Sequence, residues 1–272
     1  MNYQLISNLV RRWGQQAYEW RQAGDFSIKE KTPGDYVTTI DLRLNEALVD
    51  SIREWFPADG ILAEEDPQVY DWWYRGYDRL WCIDPIDGTS DLIAGNLGYA
   101  VMVGLLDKKE PRAGWIYAPG MDILYFGDRD TGKIYRRIGD ITEELIITPP
   151  PQLQMQVILS SKDDRNYGQQ IRQVFRDAQF YSLGSFGLKI MEVVLGKSSI
   201  YLYLNRRVKV WDTVAPLAIA EIAGLVCCDL DGKPLNYSDI HPETLAHLQV
   251  VIIGWADVIE RYLPQLQQVL TI

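Results

Sequence analysis

The stretch Trp81-Cys82-Ile83-Asp84-Pro85-Ile86-Asp87-Gly88-Thr89-Ser90 constrains this chain more than any other. An apolar, strand-like run passes without a break into two aspartates, which are bracketed by proline and glycine. Pro85 fixes φ and removes a backbone donor. Gly88 permits a tight turn or a close approach of the backbone to a ligand, and Thr89 and Ser90 can cap a short helix that follows. Carboxylates at a strand end, turned toward one point, are what hard cations require; magnesium takes oxygen ligands at about 2.0–2.1 Å and keeps several waters. The carbonyl of Ile86, between the aspartates, is a natural extra ligand. The N–H groups of Gly88 and Thr89 at a helix start suit a phosphate. A plain Asp-Gly turn with a helix cap uses the same residues, so this stretch by itself leaves both readings open.

Three more segments bear on the choice. Leu62-Ala63-Glu64-Glu65-Asp66 sets three acids directly after a buried strand. That is either a solvated acidic loop or a site where a cation offsets the repulsion. Asp35-Tyr36-Val37-Thr38-Thr39-Ile40-Asp41 puts an aspartate at a helix start, where it serves as an N-cap or as something more. Trp211-Asp212-Thr213 repeats that arrangement at a later helix.

Composition narrows the classes of function. Lys and Arg total 27 against 37 Asp and Glu, a net charge of −10. Such a chain is a poor non-specific binder of nucleic acid or anionic membrane, since both need a positive field. Hydrophobic residues make up 47% of the chain, enough for a large core and too many for a disordered protein. No apolar run approaches the roughly 18 to 20 residues of a membrane span, and the amphipathic start with Arg11 and Arg12 does not read as a signal peptide. Cys82, Cys227 and Cys228 read as buried free thiols in a reducing compartment, which points to the cytoplasm. Only His241 and His247 are available for histidine chemistry, so a histidine-rich zinc site or a Ser-His-Asp triad is not expected.

The periodicities predict two helices first, one through Leu5, Leu9, Trp13, Ala17 and Trp20 and one after Asp41 through Leu44, Leu48, Ile52 and Trp55. Strands are predicted at Ile61–Ala63, Leu80–Ile83, Tyr99–Leu106, Arg112–Tyr117 and Ile123–Phe126, largely antiparallel. Pro149-Pro150-Pro151 marks a boundary between lobes 1–150 and 151–272. Beyond it strands at Val157–Leu159, Ile200–Leu204, Leu225–Cys228 and Leu248–Ile253 alternate with helices at Gln169–Ala178, Phe186–Leu195, Thr213–Ala223 and Val258–Leu270. That alternation argues a layered α/β lobe. The N-terminal lobe would carry most of the acids, the C-terminal lobe Asp212.

Taken together, the Asp-x-Val-Thr-x-x-Asp element, the Glu-Glu pair, Asp-Pro-Ile-Asp-Gly-Thr and Trp-Asp before a helix resemble the signature of the inositol monophosphatase superfamily. These are magnesium-dependent, typically lithium-sensitive phosphatases. The resemblance runs from about Lys31 to Leu235. It implies an α/β fold, the layered αβαβα sandwich, and two or three Mg²⁺ ions held by Glu64, Asp84, the Ile86 carbonyl, Asp87 and Asp212. It also implies that Asp41 and Thr89 orient and deprotonate the attacking water while Gly88 and Thr89 hold the phosphate. The chemistry agrees, because phosphoryl transfer needs an in-line nucleophile and charge neutralisation more than covalent catalysis.

The substrate side resembles the 3'(2'),5'-bisphosphate nucleotidase branch. That branch has a lysine where Lys189 stands in Gly184-Ser185-Phe186-Gly187-Leu188-Lys189. Lys189 and Ser185 are expected on a second phosphate, as in adenosine 3',5'-bisphosphate, and Ser160 is expected near the substrate. One departure stands out: after Ser160 the nucleotidases show a histidine where this chain has Asp163. The family's first-lobe lysine corresponds loosely to Lys31. The alternative substrates are inositol 1-phosphate or a sugar phosphate such as fructose 1,6-bisphosphate. The partner is a small phosphorylated molecule, with no nucleic acid polymer and no membrane, and the state is monomer or homodimer.

Overall fold

The computed structural model describes residues 3–150 and 155–271. The chain forms two compact units. The first gathers the chain up to Leu145 together with Gly184–Leu188 and Trp211–Ile219; the second holds Ile146–Leu183, Lys189–Val210 and the chain from Ala220 onward. Pro151, part of the expected boundary, lies outside the described residues. Asp212, expected with the C-terminal lobe, groups with the first unit.

The first unit opens with α1 (Tyr3–Gln22), the hairpin β1 (Ile28–Thr32) and β2 (Asp35–Thr38), and α2 (Thr39–Trp55). There follow β3 (Gly60–Ala63), α3 (Val69–Tyr74), β4 (Arg79–Asp87), α4 (Thr89–Ala94), β5 (Ala100–Asp107) and β6 (Glu110–Ala118). A 3₁₀ turn at Pro119–Met121 leads into β7 (Ile123–Asp128), β8 (Lys133–Ile138) and β9 (Ile141–Leu145). Strands β3 to β9 make one sheet in chain order. Only the β3–β4 pair is parallel; the rest is an antiparallel meander. The core forms where helix faces meet this sheet. Ile40, Leu44, Leu48 and Ile52 of α2 recur at helical spacing and join Ile6, Val10 and Ala17 of α1 in one cluster with Trp81, Ile83, Val103 and Trp115. The indoles of Trp81 and Trp115 lie 6.1 Å apart, and burying a large apolar side chain contributes about 1.5–3 kcal/mol. Both indole N–H groups are satisfied, Trp81 by Asp59 at 2.9 Å and Trp115 by Ser7 at 3.0 Å, so neither burial leaves an unmet donor.

The second unit contains β10 (Gln156–Leu159), α5 (Ser161–Val174), β11 (Gln179–Tyr181), most of α6 (Phe186–Val194) and β12 (Ile200–Tyr203). The start and end of α7 (Val210–Ile222), β13 (Val226–Cys228), β14 (Val251–Gly254) and α8 (Ala256–Val269) also belong to it. Its sheet runs β11-β10-β12-β14-β13, with β10 parallel to both neighbours and β14 antiparallel to both of its own. The α/β fold class is as expected. The differences are local. Helix α5 begins at Ser161, not Gln169, because Ser160 caps it and its polar first two turns, Ser161 to Gly168, carry no apolar periodicity. Helix α7 begins at Val210, so Asp212 sits inside the first turn and is not its cap. The hairpin β1–β2 and strand β9 are mostly exposed and short, without the alternation that reveals a strand. Among the described residues no helix is long and apolar enough to cross a membrane.

His247 is fully buried, and burial pulls its pKa down to about 4. Between its ordinary value near 6.5 and that lower value the unfolded chain binds a proton that the folded chain refuses. This contribution to stability is therefore lost as pH falls through that window, by up to about 1.4 kcal/mol per pH unit. Urea unfolding at pH 7, 6 and 5 should show a steeper fall in the wild type than in His247→Gln. Parallel slopes in the two proteins would refute the assignment.

Candidate active site

Strand β4 delivers the central acids, and a bulge sets their direction. Asp84 faces Met102 across the β4–β5 pair and Asp87 faces Ala100, so three steps along β4 match two along β5. Residues three apart on a regular strand point to opposite faces. The extra residue restores the parity and turns both carboxylates to one side. Pro85 falls in this bulge, where its missing N–H costs no ladder bond. Glu64 continues β3 alongside, its N–H donating to the Ile83 carbonyl at 3.1 Å. Asp212 comes from the first turn of α7.

Glu64, Asp84 and Asp212 each offer a carboxylate oxygen, and these oxygens lie within 4.8 Å of one another. Asp84 is only 1% exposed, and its Oδ1 has no hydrogen-bond partner. Burial pushes its pKa well above the usual carboxylate value, and the charges of Glu64, Asp87, Asp212 and Asp41 push it further. Three gathered carboxylates, the buried one with an orphaned oxygen, form a hard-oxygen donor set, which fits Mg²⁺.

Asp41 and Thr89 are brought together from separate helices. Thr38 caps α2 and Asp41 completes a capping box, accepting the Thr38 N–H at 2.9 Å and its hydroxyl at 2.5 Å on Oδ2. That leaves Oδ1 for the Thr89 hydroxyl, which donates at 3.1 Å. The same hydroxyl lies 3.2 Å from the Ile86 carbonyl. Burial raises the Asp41 pKa, against the lowering effect of the Thr38 and Thr89 hydrogen bonds. Gly88 precedes α4 with φ +96°, a left-handed conformation that glycine adopts without strain.

Asp87 stands apart from the triad of oxygens. Its Oδ1 accepts the Phe186 N–H at 3.0 Å, and its Oδ2 accepts the Ser185 hydroxyl at 2.5 Å and the Gly187 N–H at 2.8 Å. It thereby anchors the first turn of α6, where a negative charge is favoured. Ser185 is fully buried, and its hydroxyl also accepts the Leu188 N–H at 3.0 Å. That hydroxyl is engaged with Asp87 and the helix start.

Ser160 and Lys189 belong to the second unit. The Ser160 hydroxyl donates to Asp163 Oδ2 at 2.8 Å and accepts the Asp163 N–H at 3.0 Å. Asp163 is buried and also accepts the Leu204 N–H and the Asn205 amide, both at 3.2 Å. The residue that departs from the nucleotidase pattern is thus a structural carboxylate tying α5 to the end of β12. Lys189 is only 6% exposed, its ammonium 5.6 Å from the centre of the Tyr201 ring. Lys31, only loosely placed by sequence, donates to Glu65 at 2.5 Å and Glu64 at 3.3 Å. Partial burial disfavours its charge, but Glu64 and Glu65 more than restore it. Trp72 donates to Asp66 at 3.2 Å, with Arg75 over its ring.

This is a cluster of carboxylates with the donor set of a metal site, on an α/β fold. The chain belongs to the inositol monophosphatase family, whose sequence profile matches residues 5–270, and it is a phosphatase of that family. The 3'(2'),5'-bisphosphate nucleotidase CysQ of Escherichia coli K12 is 30% identical over 238 residues, 86% of this chain and 92% of CysQ. A fructose-1,6-bisphosphatase/inositol-1-monophosphatase of Thermotoga maritima is 29% identical, covering 76% of this chain and 77% of its own. Among solved structures, an IMPase of Thermotoga maritima shares the fold, with a TM-score of 0.76 at 23% identity over 99% of this chain and 98% of that one.

Asp84→Asn removes one of the clustered charges. In chelator the variant should melt a few degrees higher than the wild type, since relief of a buried unpaired charge is worth about 1–3 kcal/mol. The upward shift of the melting temperature on adding Mg²⁺ should disappear. Thermal melts with EDTA and with Mg²⁺ read both effects, and a retained Mg²⁺ shift would contradict the site.

Proposed function

We propose that this protein is a Mg²⁺-dependent 3'(2'),5'-bisphosphate nucleotidase that hydrolyses adenosine 3',5'-bisphosphate to AMP and phosphate. The chemistry is carried by one observation, the orphaned, dehydrated Asp84 oxygen among the carboxylates of Glu64 and Asp212. The substrate is supported by the similarity to the CysQ nucleotidase.

In this reading Glu64, Asp84, the Ile86 carbonyl, Asp87 and Asp212 hold two or three Mg²⁺ ions. Once bound, the ions would supply the charge neutralisation that phosphoryl transfer needs. Asp41 and Thr89 form the proton path. Thr89 Oγ1 takes a proton from the attacking water as its own passes to Asp41 Oδ1, along the hydrogen bond already in place. The water oxygen bonds to phosphorus, the ester P–O bond breaks, and the proton returns to the leaving alkoxide. Gly88 and Thr89 orient the phosphate through backbone N–H groups. Lys189, Ser185 and Ser160 are assigned to the substrate side, Ser185 and Ser160 through the helix starts that they hold. The proposal includes inhibition by lithium and a cytoplasmic location, which free thiols fit.

A second reading, the same chemistry on inositol 1-phosphate or fructose 1,6-bisphosphate, is favoured by the burial of Lys189 and by the Thermotoga relative. Comparing kcat/KM for the three substrates with Mg²⁺ decides between them. The nucleotide should win; a preference above about tenfold for inositol phosphate, roughly 1.4 kcal/mol, sinks the nucleotidase assignment. Lys189→Ala should reduce turnover of the bisphosphate more than that of inositol 1-phosphate, and equal losses would remove Lys189 from substrate recognition. Thr89→Ala should lower kcat by about 10²–10⁴ while keeping the Mg²⁺-dependent rise in melting temperature.

A further inference from the structure

Gly104 of β5 and Gly114 of β6 lie directly opposite each other in the antiparallel pair. Neither has a positive φ, so neither is required by backbone conformation. Both are required by space. A Cβ on Gly114 would stand 2.7 Å from the Ala215 Cα, with the Ala215 carbonyl oxygen nearer still. A Cβ on Gly104 would stand 2.6 Å from the Ala215 nitrogen and 3.0 Å from the Val214 carbonyl carbon. The two glycines form one notch in the sheet, and the backbone of α7 rests in it.

The notch is on the face that bears the acids. Asp84 pairs with Met102, and Met102 and Gly104, two apart on β5, share a face. Ala215 lies three residues after Asp212, so the two occupy one side of the helix. The turn that rests in the notch is thus the turn that carries Asp212. A methyl group at either glycine has to lift that turn, because at both positions it meets backbone atoms, which cannot rotate away.

We propose that Gly104 and Gly114 are positioning residues for the metal centre: they let α7 lie at backbone distance on β5 and β6 and so bring Asp212 to Glu64 and Asp84. The proposal rests on the reading of these carboxylates as a cation site, and its test separates the two. Mg²⁺ binding is measured by titration calorimetry on wild type, Gly114→Ala, Asp212→Asn and the double variant, with near-UV circular dichroism in EDTA as the check on folding. Wild type should bind Mg²⁺. Gly114→Ala should fold and bind about tenfold or more weakly, the scale of effects on residues that orient metal ligands. In the Asp212→Asn background the same substitution should change affinity by less than about twofold, since a lost ligand cannot be misplaced again.

Affinity in Gly114→Ala within about twofold of wild type overturns the proposal and leaves the metal reading standing. An equal loss with and without Asp212 also overturns it. If wild type binds no Mg²⁺, the cation reading fails and takes the proposal with it. Should Gly114→Ala not fold, Gly104→Ala is the milder variant and is read in the same way, because part of its clash is with the movable Val214 side chain.

Discussion

The burial of Asp84 beside other carboxylates is the interaction on which the rest of the first unit depends. A dehydrated carboxylate whose neighbours carry the same charge is costly, and Asp84 meets that cost. The cost is tolerable where the surroundings are stiff and a cation compensates. The core of Trp81, Trp115 and the helix faces of α1 and α2 supplies the stiffness. The strand that brings Asp84 to the site is the strand that carries Trp81, so packing and function share one piece of backbone.

The acids around Asp84 are stabilised in different ways, and the differences assign them different tasks. Asp41 has one oxygen fixed by the Thr38 cap and the other offered to Thr89. Asp87 spends both oxygens on the first turn of α6. Glu64 has Lys31 as a cationic neighbour. Asp84 Oδ1 is buried without a hydrogen bond. Asp41 is thereby joined to Thr89, and Asp87 fixes the start of α6 in addition to its proposed part in holding the ions. The net charge of −10, unhelpful for a binder of polyanions, follows in part from this arrangement: under the proposed function some of the excess acid gathers cations, whose charge must enter any account of the site.

Much of this was legible in the chain. The apolar run into Asp84 and Asp87, the Glu-Glu pair after β3, Asp41 at a helix start and Trp211-Asp212 at the start of α7 are local patterns with a direct physical meaning. The features that were not legible depend on partners far away in sequence. Ser185 is expected on the substrate, and only the fold shows that its hydroxyl also binds Asp87, almost a hundred residues earlier. Lys189 is expected on a substrate phosphate, and only the fold shows it buried beside Tyr201. Asp163 reads as a departure from a pattern until the Leu204 and Asn205 donors explain it. The start of α5 was hidden because its first residues are polar, and the hairpin β1–β2 because it is mostly exposed and carries little alternation.

By itself, then, the sequence determined the family the chain belongs to and where most of its apolar elements run, because periodicity, turn residues and clustered acids act over a few positions. Tertiary structure decided the parity of Asp84 and Asp87, since a bulge exists only against a paired strand. It decided the approach of Asp212, since the room left by Gly104 and Gly114 becomes a seat only when α7 lies on them. It also decided which hydroxyls and amines are already engaged within the fold, because a hydrogen bond is a property of two places brought together, and one sequence position states only half of it.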